Sequence, residues 1–170
     1  MTQKQPERRR LTPGELTVAR EVFGATIDFG RVRIVRRRSG RFAFVIGSRI
    51  SFPPAAPADF GPAPRWMQAW LVHELTHVWQ FQTRPLRALA SWLGILLTGG
   101  YGPRLTGYRY ALPLKPWDAY NIEQQARIVE HGFLAVAGET TLAMPAGACA
   151  DDYLRCTPFT PPPGRVSVGP

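Results

Sequence analysis

Hydrophobic residues recur along the chain with helical spacing in four regions and with strand spacing in one. The first helical region is marked by apolar residues on one face of a helix: Leu16, Ala19, Val22 and Phe23. Thr12 and Glu15 stand three residues apart, as in a capping box, and Gly24 can end the helix. The pattern predicts a short helix over 12–24 whose role is packing.

The strand spacing follows directly. In residues 31–37, Val32 and Ile34 alternate with arginines, which predicts a strand with one apolar and one basic side. Residues 42–52 predict a second, more hydrophobic strand that is interrupted near Gly47. Together they predict a short antiparallel sheet, and with the helices a small α+β domain.

Two longer helices follow. Residues 65–82 contain neither Gly nor Pro, come directly after Pro64 and are apolar on nearly every face, so we expect a buried helix. Further on, apolar residues form a stripe along a predicted helix that Gly138 can end: Ile122, Ala126, Val129, Phe133 and Val136.

Between them lies a strongly apolar segment, Leu86–Leu97. As a helix of 12 residues it would span about 18 Å, which is short of the ~30 Å of a bilayer core. We therefore expect a buried or half-buried helix beside the functional cleft, not a membrane span. A position at a membrane interface stays open as an alternative, because Arg87 is the only charge in the segment.

The size and composition favour one domain. The chain has 170 residues, of which 45% are hydrophobic, enough for one core. We predict a disordered basic tail over 1–10, a domain over 11–140 and an irregular Pro/Gly-rich tail over 141–170. No apolar segment typical of a secretion signal follows the first residues, which predicts a cytoplasmic location.

The positive charge is concentrated early in the chain. The net charge is +9, and residues 1–41 hold 11 Lys or Arg against 4 Asp or Glu. The run Arg31–Arg41 could contact nucleic acid or another polyanion. No nucleic-acid-binding motif accompanies the run, so we favour a solvated basic face.

The candidate catalytic residues lie in the predicted buried helix, where residues 73–77 spell H-E-x-x-H. His73 and His77 lie one turn apart on one face, so both imidazoles can reach the same metal ion. Glu74 is about 100° further round the helix, where it can act as a general base toward a metal-activated water. This pattern predicts a zinc ion and hydrolysis of a carbonyl compound.

A third ligand must come from elsewhere, and Glu123, Asp118 and Glu130 are the rivals. Glu123 borders the apolar stripe of its helix, although it could equally be an exposed residue paired with Arg127. Glu130 lies two turns, about 10 Å, beyond Glu123, so we expect Glu123→Ala but not Glu130→Ala to weaken zinc binding strongly.

The remaining residues favour a catalytic over a structural zinc site. Structural sites usually close four positions with Cys and His, but Cys149 and Cys156 lie far from the motif and are expected to be reduced thiols. His131 is about 12 Å beyond Glu123 along a helix and is left out of the site. An oxyanion could be stabilised by a tyrosine: Tyr101, Tyr108, Tyr110 or Tyr120.

Four segments carry a family resemblance: LTPGELTVAREVFG, IGSRISFPP, HELTHVWQFQ and YNIEQQARIVEHGF. Together they resemble the bacterial Vgr-related proteins, small zincin-like proteins linked to type VI secretion, over residues 11–137. The resemblance implies a zincin-like metallopeptidase fold, with His73, His77 and Glu123 as ligands and Glu74 as the base. It also implies secretion-system partners and export that does not depend on a signal peptide.

The predicted function is zinc-dependent hydrolysis of a peptide or protein substrate. The strand over 42–52 is a candidate to hold an extended substrate by strand addition, and a plain core strand is the alternative. Two other functions stay open. One is a non-catalytic component of a secretion apparatus, and the other is a peptidase associated with nucleic acid through Arg31–Arg41.

Overall fold

Five α-helices and a four-stranded sheet form the domain in the computed structural model, which describes residues 8–102 and 105–159. The helices are α1 (Pro13–Phe23), α2 (Arg65–Thr83), α3 (Pro85–Leu97), α4 (Ile122–Val136) and α5 (Ala150–Cys156). The strands are β1 (Arg8–Arg9), β2 (Arg33–Arg36), β3 (Phe44–Ile46) and β4 (Arg49–Phe52).

The sheet is mixed, so the prediction of a wholly antiparallel sheet is wrong. Its strand order is β1-β2-β4-β3, and β2 pairs with β4 in parallel. The reason lies at Gly47, whose φ of 60° allows the tight turn of a hairpin between β3 and β4. This turn splits the segment 42–52 into two strands, so that β4 runs beside β2 in the same direction and β3 forms an edge.

One face of the sheet packs on the helices and the other is basic. Ile34, Ile50 and the half-buried Val45 are neighbours across β2, β4 and β3 on the inner face. On the outer face, Arg33 of β2 stands beside Arg49 of β4. The predicted division of β2 holds for Ile34 and Arg33. It does not hold for the second half of the strand, where the exposed Arg36 follows Ile34 on one face and Val35 follows Arg33 on the other.

Helix α1 begins with the predicted capping box. Thr12 Oγ1 accepts a hydrogen bond from the Glu15 backbone N–H, and the Glu15 carboxylate accepts one from the Thr12 N–H. Glu15 is fully buried and also accepts two hydrogen bonds from Arg9, at 2.6 and 2.7 Å, and one from the Phe60 N–H. Arg8 and Arg9 are thus ordered in β1, contrary to the predicted tail over 1–10; residues 1–7 lie outside the described residues.

Helix α3 differs from the prediction of a buried or half-buried helix. Only Ala88 and Ile95 of this helix are buried, and they pack beside Ile122 of α4. Its leucines lie at the surface, as described below. No helix among the described residues is long and apolar enough to cross a bilayer.

Helix α4 lies against α2, and α5 packs on its other side. Tyr153 of α5 is fully buried beside Ile128 of α4. The segment predicted to be irregular over 141–170 therefore contains a packed helix, and its residues from 160 on lie outside the described part. Cys149 and Cys156 are free thiols, as expected.

Candidate metal centre

Three side chains from α2 and α4 converge at the contact between these helices. His73 Nε2 and His77 Nε2 lie 3.4 Å and 3.3 Å from Glu123 Oε2. All three residues are buried, and their ligand atoms lie within 4.8 Å of one another. The structure thus brings the H-E-x-x-H histidines together with Glu123, and it forms a candidate metal-binding group.

The spacing of these atoms fits a zinc ion. Ligands about 2.1 Å from a tetrahedral zinc lie roughly 3.4 Å apart, close to the two observed nitrogen–oxygen distances. Glu123 Oε2 is buried, and among the described residues it accepts no hydrogen bond. A buried carboxylate oxygen without a hydrogen bond is costly unless a cation or proton meets it. Two imidazoles and one carboxylate are also a donor set of catalytic zinc sites.

A second set of contacts fixes both imidazole rings. His73 Nδ1–H donates to Glu130 Oε2 at 2.9 Å, and His77 Nδ1–H donates to Gln80 Oε1 at 2.8 Å. Gln80 Nε2 in turn donates to the Ile122 carbonyl and to Gln125 Oε1, which ties α2 to α4. Because each Nδ1 is used as a donor, each Nε2 is turned toward Glu123.

The positions of the three donors follow from the helices that carry them, α2 and α4. His73 and His77 lie mid-helix in α2, where four-residue spacing puts them one above the other. Glu123 lies in the first turn of α4, directly after an N-cap formed by Asn121 with Gln124. The cap fixes the first turn, and therefore the direction of the Glu123 carboxylate.

The two histidines and the nearby carboxylates shift one another's pKa values, because they lie close together in a buried site. Burial lowers the pKa of His73. The carboxylates of Glu123 and Glu130 raise it by more than burial lowers it, so the net pKa is about 10. For His77, burial likewise lowers the pKa, Glu123 outweighs it, and the net pKa is raised. Burial raises the pKa of Glu123, but His77 and His73 lower it well below its usual range. A metal ion held by His73 and His77 would have to displace any proton on their Nε2 atoms.

Glu74 lies next to His73 but is absent from the converging group of donors. It is buried, and its Oε1 accepts a long hydrogen bond of 3.3 Å from Trp70 Nε1. Burial raises the pKa of the Glu74 carboxyl above its ordinary value, an effect that the neighbouring histidines oppose. A raised pKa makes the carboxylate a stronger proton acceptor.

Two of the four candidate tyrosines lie at the site. Tyr101 Oη donates to Glu123 Oε1 at 2.7 Å, and the Tyr108 ring stacks on His73 with centroids 6.3 Å apart. Burial raises the pKa of both phenols, so both keep their protons at neutral pH. Tyr110 instead contacts His131 and Tyr153, away from the group. Tyr120 accepts a hydrogen bond from the Lys115 N–H and also lies elsewhere.

The candidate centre lies at the floor of an open cleft of about 940 Å³, solvent-exposed space included. One wall is formed by residues 42–45, which include the start of edge strand β3. The other wall carries Trp92 of α3 together with Tyr101 and Tyr108. Glu74, His73 and His77 are largely buried but line the cleft.

The structure separates the three rival carboxylates. Asp118 is exposed and pairs with Arg84 and Arg87 at 2.7 and 2.6 Å, so it lies outside the candidate centre. Glu130 contacts His73 Nδ1 at 2.9 Å, although it lies two turns beyond Glu123. The two-turn separation along α4 is spanned because α2 packs along α4, and His73 of α2 lies within reach of Glu130.

Sequence reasoning missed Gln80. It is buried, it contacts His77, and it links α2 with α4. The sequence does contain an indication of this role, because Gln80 is a polar residue three positions after His77 on a helix that is apolar nearly all round. His131 is fully buried against Tyr110, outside the group of donors, as expected.

The fold and the geometry define a small α+β domain with a His/His/Glu group at the base of a cleft. No protein-family model matches the chain. The type VI secretion system spike protein VgrG2b of Pseudomonas aeruginosa is 33% identical over 142 residues, which are 74% of this chain and 13% of the spike protein. The solved effector domain of Pseudomonas aeruginosa VgrG2b matches with a TM-score of 0.57 and 33% identity, over 76% of this chain and 75% of that domain.

The chain therefore belongs to the family of the VgrG2b effector domain. This result confirms the resemblance to Vgr-related proteins. The zincin-like assignment and the bound metal stay predictions at this point.

Proposed function

We propose that this chain is a zinc-dependent metallopeptidase domain of a type VI secretion effector. One observation carries the proposal: His73, His77 and Glu123 converge at zinc-like spacing beside Glu74, at the floor of a cleft. The family relationship to the VgrG2b effector domain supports the effector role, because it covers three quarters of both chains.

In this proposal His73, His77 and Glu123 hold the zinc. When bound, zinc supplies a Lewis acid that polarises a carbonyl and lowers the pKa of a water molecule. Glu74 accepts a proton, and the rise of its pKa through burial suits that role. Tyr101 and Tyr108 keep their protons and line the cleft. Tyr101 already donates a hydrogen bond to Glu123, so Tyr108 is the better candidate to donate a hydrogen bond to a developing oxyanion.

The substrate we propose is an extended peptide segment. Strand β3 is an edge of the sheet and its first two residues line the cleft, so its outer backbone groups are available to a further strand. Strand addition supplies main-chain hydrogen bonds whatever the side chains are. A substrate strand placed there would run past Glu74 and the two histidines.

The relationship also suggests where the protein acts. VgrG2b is a spike protein of a type VI secretion system, and we propose secretion-system components as partners of this chain. We further propose delivery from the producing cell by that route.

The decisive test compares wild type with Glu74→Gln at full zinc occupancy, on peptide libraries derived from a bacterial proteome. We expect Glu74→Gln to keep its fold and bind zinc but to lose cleavage by at least about a hundredfold, because the proton acceptor is removed. Glu139→Gln is a matched control, since Glu139 is exposed and outside the cleft, and it should cleave like wild type. Equal background cleavage by wild type and Glu74→Gln would instead indicate a non-catalytic component of the secretion apparatus.

A further inference from the structure

Helix α3 presents its apolar face to solvent. Six large hydrophobic side chains of this helix are between 43% and 82% exposed: Leu86, Leu89, Trp92, Leu93, Leu96 and Leu97. We call them the leucine face. Surface leucines that occur singly are ordinary, but a contiguous set on one helix marks an interaction site.

The orientation of α3 is the reverse of the usual one for a helix on a water-soluble domain. A surface helix normally turns its apolar stripe to the core. In α3 the core side is formed by Ala88 and Ile95, and Ser91 Oγ on the same side accepts a hydrogen bond from the Ile122 N–H. The larger apolar residues are thus left at the surface.

The opposite wall of the cleft is also exposed and apolar. Phe42 is 80% exposed and Phe44 is 43% exposed, and both line the same cleft as Trp92. Aromatic side chains therefore stand on both sides of the cleft mouth. The leucine face continues from one of these sides.

The two chain segments that supply the cleft walls contain basic residues and no acidic ones. Residues 29–58, which contain β2, β3 and β4, hold seven arginines, and residues 84–117, which contain α3, hold five Lys or Arg. Neither segment contains an Asp or Glu. These segments therefore carry a formal +12, so the rest of the chain carries −3 of the net +9. Asp118, directly after the second segment, pairs with Arg84 and Arg87 and offsets one of these charges.

We propose that this side of the protein binds an anionic phospholipid bilayer, with the leucine face of α3 in the interfacial region and the arginines on the headgroups. Leucine and tryptophan on one helix face with neighbouring arginines are typical of helices that lie in the plane of a membrane interface. The positive charge argues against a second copy as the occupant, because two such surfaces would repel each other. A bilayer meets both properties at once, since it is apolar inside and negative at its surface.

This binding would hold the cleft mouth at the membrane surface. The proposal does not depend on the peptidase activity, because it involves none of the candidate zinc ligands and not the proposed base. The two proposals can therefore fail separately.

The test uses the whole chain and vesicles of phosphatidylcholine with or without phosphatidylglycerol, separated by flotation. We expect binding to the anionic vesicles that weakens as salt is added, and little binding to the neutral ones. The double variant Leu93→Asp/Leu97→Asp should bind at least about tenfold more weakly, because it places two charges in the leucine face. Both positions are exposed, so the fold should persist, as circular dichroism would show.

Two controls make the result specific. Leu142→Asp changes a fully exposed leucine elsewhere and should bind like wild type. Arg41→Gln should weaken binding about fivefold, from about 1 kcal/mol for a basic residue at an anionic surface, whereas Arg20→Gln on α1 should not. A fluorescence change on vesicle binding that disappears in Trp92→Phe would place α3 at the contact.

Three outcomes would overturn the proposal. The first is no binding to anionic vesicles at low salt by folded protein. The second is binding that the leucine-face double variant leaves unchanged. The third is self-association that the double variant abolishes while vesicle binding is absent, which would assign the leucine face to a second copy of the chain.

Discussion

Glu130 offers a direct test of how the candidate centre is assembled. Its carboxylate accepts a hydrogen bond from His73 Nδ1–H at 2.9 Å and is held by Arg127 at 3.1 Å. Glu130→Ala removes the partner that orients the imidazole but leaves all three donor atoms in place. We therefore expect zinc affinity to fall but not to disappear.

The expected size of the effect follows from this position. Loss of an outer partner of a metal ligand typically costs about 10–100-fold in affinity, or about 1.4–2.8 kcal/mol. Glu123→Ala removes a donor atom itself. Sharing roughly 10–16 kcal/mol of zinc binding over about four ligands gives about 2.5–4 kcal/mol per ligand, so the loss should be on the order of a hundredfold to a thousandfold. Glu130→Gln keeps an acceptor and should lose less than Glu130→Ala.

Competition with a chromophoric zinc chelator at neutral pH measures all three variants on one scale. Asp118→Ala serves as the control, because Asp118 is an exposed carboxylate paired only with arginines in the described contacts, and its zinc affinity should equal that of wild type. Equal losses for Glu130→Ala and Glu123→Ala would make Glu130 a ligand and refute the assignment. A wild-type affinity in Glu130→Ala would refute its role in orienting His73.

Two further predictions concern stability. Burial lowers the pKa of His131 to about 4, while an unfolded histidine titrates near 6.5, so between these pH values the unfolded state binds more protons. The free energy of unfolding should therefore fall by up to about 3 kcal/mol as the pH drops from 6.5 to 4. In His131→Gln, urea unfolding should show a decrease over this pH range that is smaller by about this amount. Arg9→Ala leaves the buried Glu15 carboxylate without its charged partner and should lower the free energy of unfolding by about 3–5 kcal/mol, whereas Arg8→Ala should change it by less than about 0.5 kcal/mol. Equal stability of these two arginine variants would show that the Arg9–Glu15 pair is not needed.

Local patterns in the sequence were sufficient for the helices and for the spacing of the histidines. The Thr12–Glu15 capping box, the start of α2 after Pro64 and the one-turn separation of His73 and His77 depend on hydrogen bonds and geometry within four residues. Such features are set wherever the helix forms. The sequence could therefore name two of the three donors and the neighbouring Glu74.

Only the tertiary structure decided the features that join distant parts of the chain. The choice among Asp118, Glu123 and Glu130 depended on how α4 packs against α2, because all three are acidic residues at or near one helix. The parallel pairing of β2 with β4 depended on the turn at Gly47, and the leucines of α3 turned outward although their periodicity alone predicts burial. Periodicity specifies that a helix has an apolar face. It does not specify which surface meets that face, because that choice is made by contacts between residues far apart in sequence.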